Sequence, residues 1–384
     1  MIWFFDRDKD LLRLETRYDN TTLEFVAVVH YSDGRTLERR FANSPAFREW
    51  LEAFEQALET QRWKARGGPV VLPYGWPEGF EGMDPSLIPF WRSPTMYGES
   101  VTTEGRLLFA PDGVEAVTSV AGDVTYLAGA DYVVDGSARR LVRPAGSCMP
   151  GTVAVTYTHS DDPWTWRPFA TPGVLRRVAG RLKRGDPVTI CLTGDSISEG
   201  YDVSGFHRVP PYQPAFGQLV ATALEQQYGA PVRLHNLGMA GWTAADAVWD
   251  VPRIAEPAPD LVIVAFGMND ASYADAGEFA GNISSVMRRV RDAVADVEFL
   301  LVSPMLPTPE CSWVVPERFA DYRAALAGFT GEGVDLADVT GIWTALVARK
   351  HPHDLSGNGL NHPNDFGHRI YAQVILDRLV DWRT

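Results

Sequence analysis

Ser196 follows a strand-like run, VTICLT, in the segment Gly194-Asp195-Ser196-Ile197-Ser198. A serine hydroxyl is a weak nucleophile until a base takes its proton, so the chemistry calls for a histidine elsewhere in the chain. Read alone, the segment describes a capping serine at a helix start equally well. The candidate base is His362, in Asn361-His362-Pro363-Asn364-Asp365-Phe366-Gly367-His368, just ahead of the last helical stretch. His368 falls inside that stretch and reads as a packing or surface residue. Two histidines at this spacing, with no cysteine or carboxylate to complete a ligand set, are not a zinc signature, and no metal is expected.

Two further segments end strand-like runs. Asn236 to Thr243 (NLGMAGWT) offers Gly241, where a backbone N–H can approach a developing oxyanion; as an ordinary βα turn, Thr243 would cap the next helix. Gly267-Met268-Asn269-Asp270 offers the Asn269 side-chain amide as a hydrogen-bond donor to the same oxyanion, or else a plain Asn/Asp turn.

These residues need a scaffold. After Pro187, the apolar runs VTICLTG, VRLHNLG, LVIVAFG and EFLLVSP alternate with helical stretches at 215–228, 243–254, 279–297, 318–329 and 365–382. Apolar, β-branched strands with helical crossovers predict a three-layer α/β/α sandwich around a parallel sheet, whose ligands sit at the carboxyl ends of the strands. All four segments fall at such ends or beside the last helix. The first half reads differently. LEFVAVVHY, Asp33-Gly34 and a more polar run predict a hairpin. Phe47, Trp50, Leu51, Phe54 and Leu58 recur at helical spacing behind a Ser44 cap. Short alternating runs between 99 and 158 predict a β-rich sandwich or jelly-roll-like region. The expected organisation is an accessory region over 1–165, as one module or as 1–98 and 99–165, then a catalytic domain over 172–384, with a Trp/Pro-rich linker between them.

Taken in order, Ser196, Gly241, Asn269 and His362 resemble the Ser, Gly, Asn and His blocks of the SGNH (GDSL-type) hydrolases, over about residues 187–384. The resemblance implies the flavodoxin-like form of that sandwich, a serine esterase and no cofactor. It implies Ser196 as nucleophile and His362 as base. The oxyanion hole would combine the backbone N–H groups of Ser196 and Gly241 with the Asn269 amide. The family usually carries an aspartate three residues before the histidine, and here that position is Gly359. Either Asp354 loops back to serve as the third member, or a backbone carbonyl orients the ring and the site is a dyad.

Composition narrows the partners. The chain has 384 residues and a formal charge of −14, which argues against nucleic acid and an anionic membrane surface. Three cysteines make no disulfide framework, and the N-terminal segment lacks the pattern of a signal peptide, so a cytoplasmic location is expected. A β-rich module ahead of such a domain resembles some carbohydrate esterases, and 12 Trp and 13 Tyr include rings able to stack on sugars. The expected substrate is a small ester, foremost an acetylated carbohydrate, with Trp242 and Tyr201 as candidate contacts. The rival readings are a lipase or thioesterase, an inactive glycan-binding protein, and a role for the N-terminal region in self-association.

Overall fold

The computed structural model describes residues 2–7, 10–19, 24–65, 83–102, 105–160, 164–168 and 174–382. The chain divides into two compact units, one of residues 1–75 with 204–213, the other of 76–203 with 214–384. Much of the expected linker (161–163 and 169–171) lies outside the described residues, as do residues 66–82, which span the junction of the two units.

In the first unit, strands β1 (Ile2–Arg7), β2 (Asp10–Asp19), β3 (Glu24–Tyr31), β4 (Thr36–Phe41) and β5 (Lys64–Ala65) form an antiparallel sheet in the order β4-β3-β2-β1-β5. The expected hairpin joins β3 to β4, with Gly34 at φ 84° and Tyr31 N–H donating to Arg35 O at 2.9 Å. Helix α1 (Ser44–Thr60) lays its apolar stripe, Phe47, Trp50, Leu51, Phe54 and Leu58, against Phe5, Leu12, Leu14 and Val29. Its cap is Asn43, whose side chain accepts from Ala46 N–H at 3.0 Å, one residue ahead of the expected Ser44.

The second unit opens with the rest of the β-rich region. Strands β6 (Thr95–Val101), β7 (Gly113–Ser119) and β10 (Val153–Thr158) form an antiparallel sheet in the order β6-β10-β7, and β8 (Val133–Asp135) pairs with β9 (Arg140–Val142). Then α2 (Arg176–Arg184) leads into the α/β sandwich. Its strands β11 (Val188–Gly194), β12 (Val232–Asn236), β13 (Leu261–Ala265), β14 (Glu298–Val302) and β15 (Val334–Ala337) are all parallel, in the order β12-β11-β13-β14-β15. The crossovers are α3 (Ser196–Glu199), α4 (Phe216–Tyr228), α5 (Ala244–Ala255), α6 (Asp270–Tyr273), α7 (Ala276–Ala293), α8 (Glu317–Ala327) and α9 (Val339–Val347), with α10 (Asp365–Leu379) closing the chain. The predicted fold is therefore present, with one strand more than the apolar runs suggested.

The two sheets of this unit share one core. Val101, Val153, Val155 and Tyr157 of the antiparallel sheet are buried with Ile190, Ile263, Leu300 and Ile375. Polar ties also run across it: Arg92 pairs with Asp377 at 2.6 Å, and Phe90 N–H donates to Gln373 Oε1 at 3.1 Å. Among the described residues, no helix is long and apolar enough to cross a membrane.

Candidate active site

The end of β11 is built so tightly that its sequence has little freedom. A Cβ on Gly194 would lie 2.0 Å from Ser198 Oγ and 2.6 Å from Ala265 O, so no larger residue fits. Asp195 then turns the chain and caps α3, accepting from Ile197 N–H at 2.9 Å. This places Ser196 on the first residue of a one-turn helix at the strand's carboxyl end. Gly200 ends the turn at φ 107°, where Gly200 N–H and Tyr201 N–H both donate to Ser196 O at 3.0 Å. Asp202 follows at φ 66°, a left-handed conformation that short polar side chains accept more readily than most.

That reversal sends the Asp202 carboxylate toward His362. Ser196 Oγ is 2.9 Å from His362 Nε2, and His362 Nδ1 is 2.6 Å from Asp202 Oδ2. A carboxylate at Nδ1 assigns the ring proton to that nitrogen and leaves Nε2 as the acceptor of the serine proton. The His362 and Asp202 side chains are only 13% and 19% exposed, so their pairing is shielded from most of the screening that weakens surface ion pairs. Tyr201 sets the edge of its ring against the imidazole, centroids 5.5 Å apart.

The loop carrying His362 is knitted by Asn358, whose Oδ1 accepts from Leu360, Asn361 and His362 N–H at 2.9, 3.0 and 3.1 Å. Ser356 Oγ and Gly357 N–H in turn donate to His362 O at 3.1 and 2.9 Å. Gly359, at the family's usual aspartate position, holds φ 72°.

Asp354 is not on the histidine. Its Oδ1 accepts from Thr102 N–H at 2.7 Å, and its Oδ2 lies 3.2 Å from Lys350 Nζ in a fully buried cluster. The expectation that Asp354 loops back to His362, and the dyad alternative with a carbonyl on the ring, both give way to Asp202. The reason is reach: Asp354 is spent inside the β6 contact, while the left-handed turn at Asp202 brings a carboxylate from the nucleophile's own loop. Sequence reasoning missed Asp202 because it considered only carboxylates within a few residues of His362, whereas Asp202 lies 160 positions away in the chain. The available signal was the GYD step, a glycine then an aspartate at the end of a one-turn helix.

The Gly241 segment packs on the nucleophile's turn. A Cβ on Gly238 would lie 2.5 Å from Glu199 N, Met239 N–H donates to Gly194 O at 3.0 Å, and Ala240 N–H donates to the Glu199 carboxylate at 2.9 Å. Gly241 has φ 82° and is exposed. Trp242 is half-buried against the core, and its carbonyl accepts from Asn269 Nδ2 at 2.9 Å, so the Gly and Asn segments are joined. An amide nitrogen carries two donors, and this bond uses one. Thr243 caps α5 in a reciprocal box with Asp246, as the turn reading expected.

Beneath the site lie carboxyls and an imidazole held away from their ordinary titration. Burial, reinforced by the nearby Asp270 carboxylate, pushes Asp195 up to about 7 against the opposing pull of the Ile197 N–H and His362. Burial likewise raises Asp270, which accepts from Ala244 N–H at 2.9 Å, to about 6. His368, fully buried, accepts from Phe216 N–H at its Nδ1 at 3.2 Å; burial lowers it to about 3, opposed by a hydrogen bond to the Tyr201 backbone. It is a packing residue, as the sequence suggested, stacked on Phe216.

Residues 192–370 match the model of the GDSL-like lipase/acylhydrolase family. No curated protein sequence matches the chain. Among solved structures, a two-domain esterase active on acetylated mannans is 23% identical, with 54% of this chain covering 52% of that one at a TM-score of 0.43. The match thus spans about half of that esterase. A catalytic mutant of an acetylxylan esterase from Geobacillus stearothermophilus is 18% identical over 51% of this chain and 95% of that one, TM-score 0.43. A lipase from a goat rumen metagenome is 14% identical over 50% and 97%, TM-score 0.41.

Proposed function

We propose that this chain, whose residues 192–370 belong to the GDSL-like lipase/acylhydrolase family and form a carboxylic ester hydrolase domain, cleaves a small acyl ester, foremost an O-acetyl group on a carbohydrate, through Ser196. The observation that carries the mechanism is the unbroken array Ser196 Oγ–His362 Nε2 and His362 Nδ1–Asp202 Oδ2, at 2.9 and 2.6 Å.

In that reading, Ser196 Oγ attacks the ester carbonyl carbon as its proton passes to His362 Nε2. Asp202 stabilises the imidazolium without taking the proton. The oxyanion is held by the backbone N–H groups of Ser196 and Gly241 and by the second donor of the Asn269 amide. Collapse of the tetrahedral adduct expels the alcohol, which leaves with the proton from His362. Water, activated by the same imidazole, then attacks the acyl-enzyme and releases the acid.

The carbohydrate reading draws support from aromatic surface beside Asn269. Tyr273 is 80% and Trp313 45% exposed, and Ser272 Oγ, next to Tyr273 in the chain, donates to Trp313 O at 2.9 Å. Exposed rings with polar neighbours suit the faces of sugars. A lipid or thioester substrate is the second reading. Leu360 and Val315, 36% and 39% exposed, lie on the His362 and α6 sides, where Thr308 N–H donates to Leu360 O and Val315 N–H to Ala271 O.

The test is hydrolysis of p-nitrophenyl acetate, butyrate and octanoate by the wild type and Ser196→Ala. Activity greatest on acetate and absent in the variant supports the proposal, with acetylated oligosaccharides the next substrates. Activity rising with chain length favours the second reading. Ester turnover that survives in Ser196→Ala overturns the mechanism.

A further inference from the structure

Lys350, Glu99 and Asp354 form a charged cluster with no solvent contact. Lys350 Nζ lies 2.7 Å from Glu99 Oε1 and 3.2 Å from Asp354 Oδ2, all three side chains at 0–1% exposure, and it donates to Arg106 O at 2.9 Å. Leu108 N–H donates to Glu99 Oε1 and Thr102 N–H to Asp354 Oδ1, each at 2.7 Å. Glu99 belongs to β6 and Thr102 follows it. Lys350 and Asp354 begin the segment that leads to His362.

Stability alone does not explain such a cluster, because apolar residues of similar volume usually hold a core as well or better. What a buried, mutually paired charge set supplies is a single register between the elements it joins. Here the register continues to the base. Asp354 O accepts from Asn364 Nδ2 at 2.9 Å, and Asn364 N–H donates to Leu355 O at 3.0 Å. The loop between residues 354 and 364 is thus closed at its foot, with His362 near its end and held by Ser356, Gly357 and Asn358.

We propose that Lys350 and Asp354 are positioning residues for His362, and that Glu99 of β6 and the following Thr102 help fix that position. The Asp354–Asn364 closure transmits the register of the buried cluster to the imidazole. The inference rests on His362 being the general base. It gives the buried aspartate a role that acts through the loop, not by contact with the ring.

His362 serves both acylation and deacylation, so a displaced imidazole slows both steps and leaves KM nearly unchanged. Displacement by about 1 Å is enough for a loss on the order of 100-fold. Asp354→Ala removes both anchors while leaving Lys350 its bond to Glu99. Its kcat on p-nitrophenyl acetate is expected to fall about 10- to 100-fold, KM staying within about twofold. Asp354→Asn, which keeps an oxygen for Thr102 N–H, should recover part of the rate.

Asn364→Asp provides an independent route, because it preserves the helix cap on Gly367 N–H while replacing the Nδ2 donor to Asp354 O and Ser100 Oγ with a carboxylate oxygen. It should show the same loss of kcat at smaller size. The His362 Nδ1 proton, held in a 2.6 Å bond to Asp202 and hence far downfield in the proton NMR spectrum, reports ring position without any substrate. It should shift or broaden in Asp354→Ala and in Asn364→Asp. Folded variants with the wild-type resonance and wild-type kcat overturn the inference. Ester turnover that persists in Ser196→Ala overturns the esterase mechanism instead, and leaves the NMR comparison to decide on the clamp.

Discussion

Replacing Asp202 with asparagine isolates the contribution of one charge to the site. The exchange keeps the side chain's size and suits the backbone, since asparagine, like aspartate, tolerates the φ of 66° at this position. What it removes is the partner of the imidazolium that forms as Ser196 attacks. With charge centres about 4 Å apart and an effective dielectric of about 20, that attraction is worth ~4 kcal/mol, or about a 1000-fold fall in kcat. A further loss follows if the new amide donates to Nδ1, for then Nε2 holds the ring proton and cannot accept from Ser196. The assay is steady-state hydrolysis of p-nitrophenyl acetate, with fluorophosphonate labelling of Ser196 as a second readout of nucleophile activation. Thermal melting should show the variant folded, because His362 and Asp202 are partly exposed and neither is left stranded in the core. A folded Asp202→Asn enzyme within about threefold of the wild-type kcat would refute the assignment, since it would mean the imidazolium needs no carboxylate.

Asn269→Ala should reduce kcat about 100- to 1000-fold with the labelled serine still present, and a loss below threefold removes its amide from the oxyanion hole. His368, held near 3 against an ordinary 6.5, contributes stability that is fully present above pH 6.5 and is lost as pH falls toward 3. The full effect is on the order of 5 kcal/mol. Melting temperatures from pH 4 to 7 should therefore rise more steeply for the wild type than for His368→Asn, and parallel curves contradict the burial argument. Asp195 works in the opposite sense. Its carboxyl titrates at about 7 instead of 3.8, so its contribution is complete below pH 3.8 and disappears as pH rises to about 7. Asp195→Asn, which keeps an oxygen for Ile197 N–H, should gain on the wild type in thermal stability between pH 4 and 7; a gap that does not widen with pH shows an ordinary carboxyl there.

The parallel sheet was legible because β11, β13 and β14 are buried on both faces and therefore read as continuous apolar runs. VTICLTG and LVIVAFG coincide with β11 and β13 to within two residues. Strand β15 was not legible for a related reason. Val334–Ala337 is four residues long and runs almost directly into the apolar helix Val339–Val347, so no change of period separates the two. The helix α2 escaped because its Arg- and Lys-rich sequence buries only Val178 and Leu182, too narrow a stripe to stand out.

The same distinction governs the site. Ser196 and His362 were legible from short segments whose order along the chain carries the information. The carboxylate was not, because an imidazole requires only that an acceptor reach Nδ1, and chain order does not restrict which loop delivers it. Gly359 leaves the usual place without a side chain. Asp354 has the right chemistry, five residues further upstream, but is bonded to Thr102 and Lys350. Asp202 has the same chemistry with a backbone that turns the right way, a turn that passes through Gly200 at φ 107° and Asp202 at φ 66°. A third member supplied from the nucleophile's own loop also couples the two halves of the reaction centre. Any movement of the Ser196 turn moves Asp202 with it, so nucleophile and orienting acid approach His362 as one body, and the alignment of the base rests on the loop clamped at Asp354.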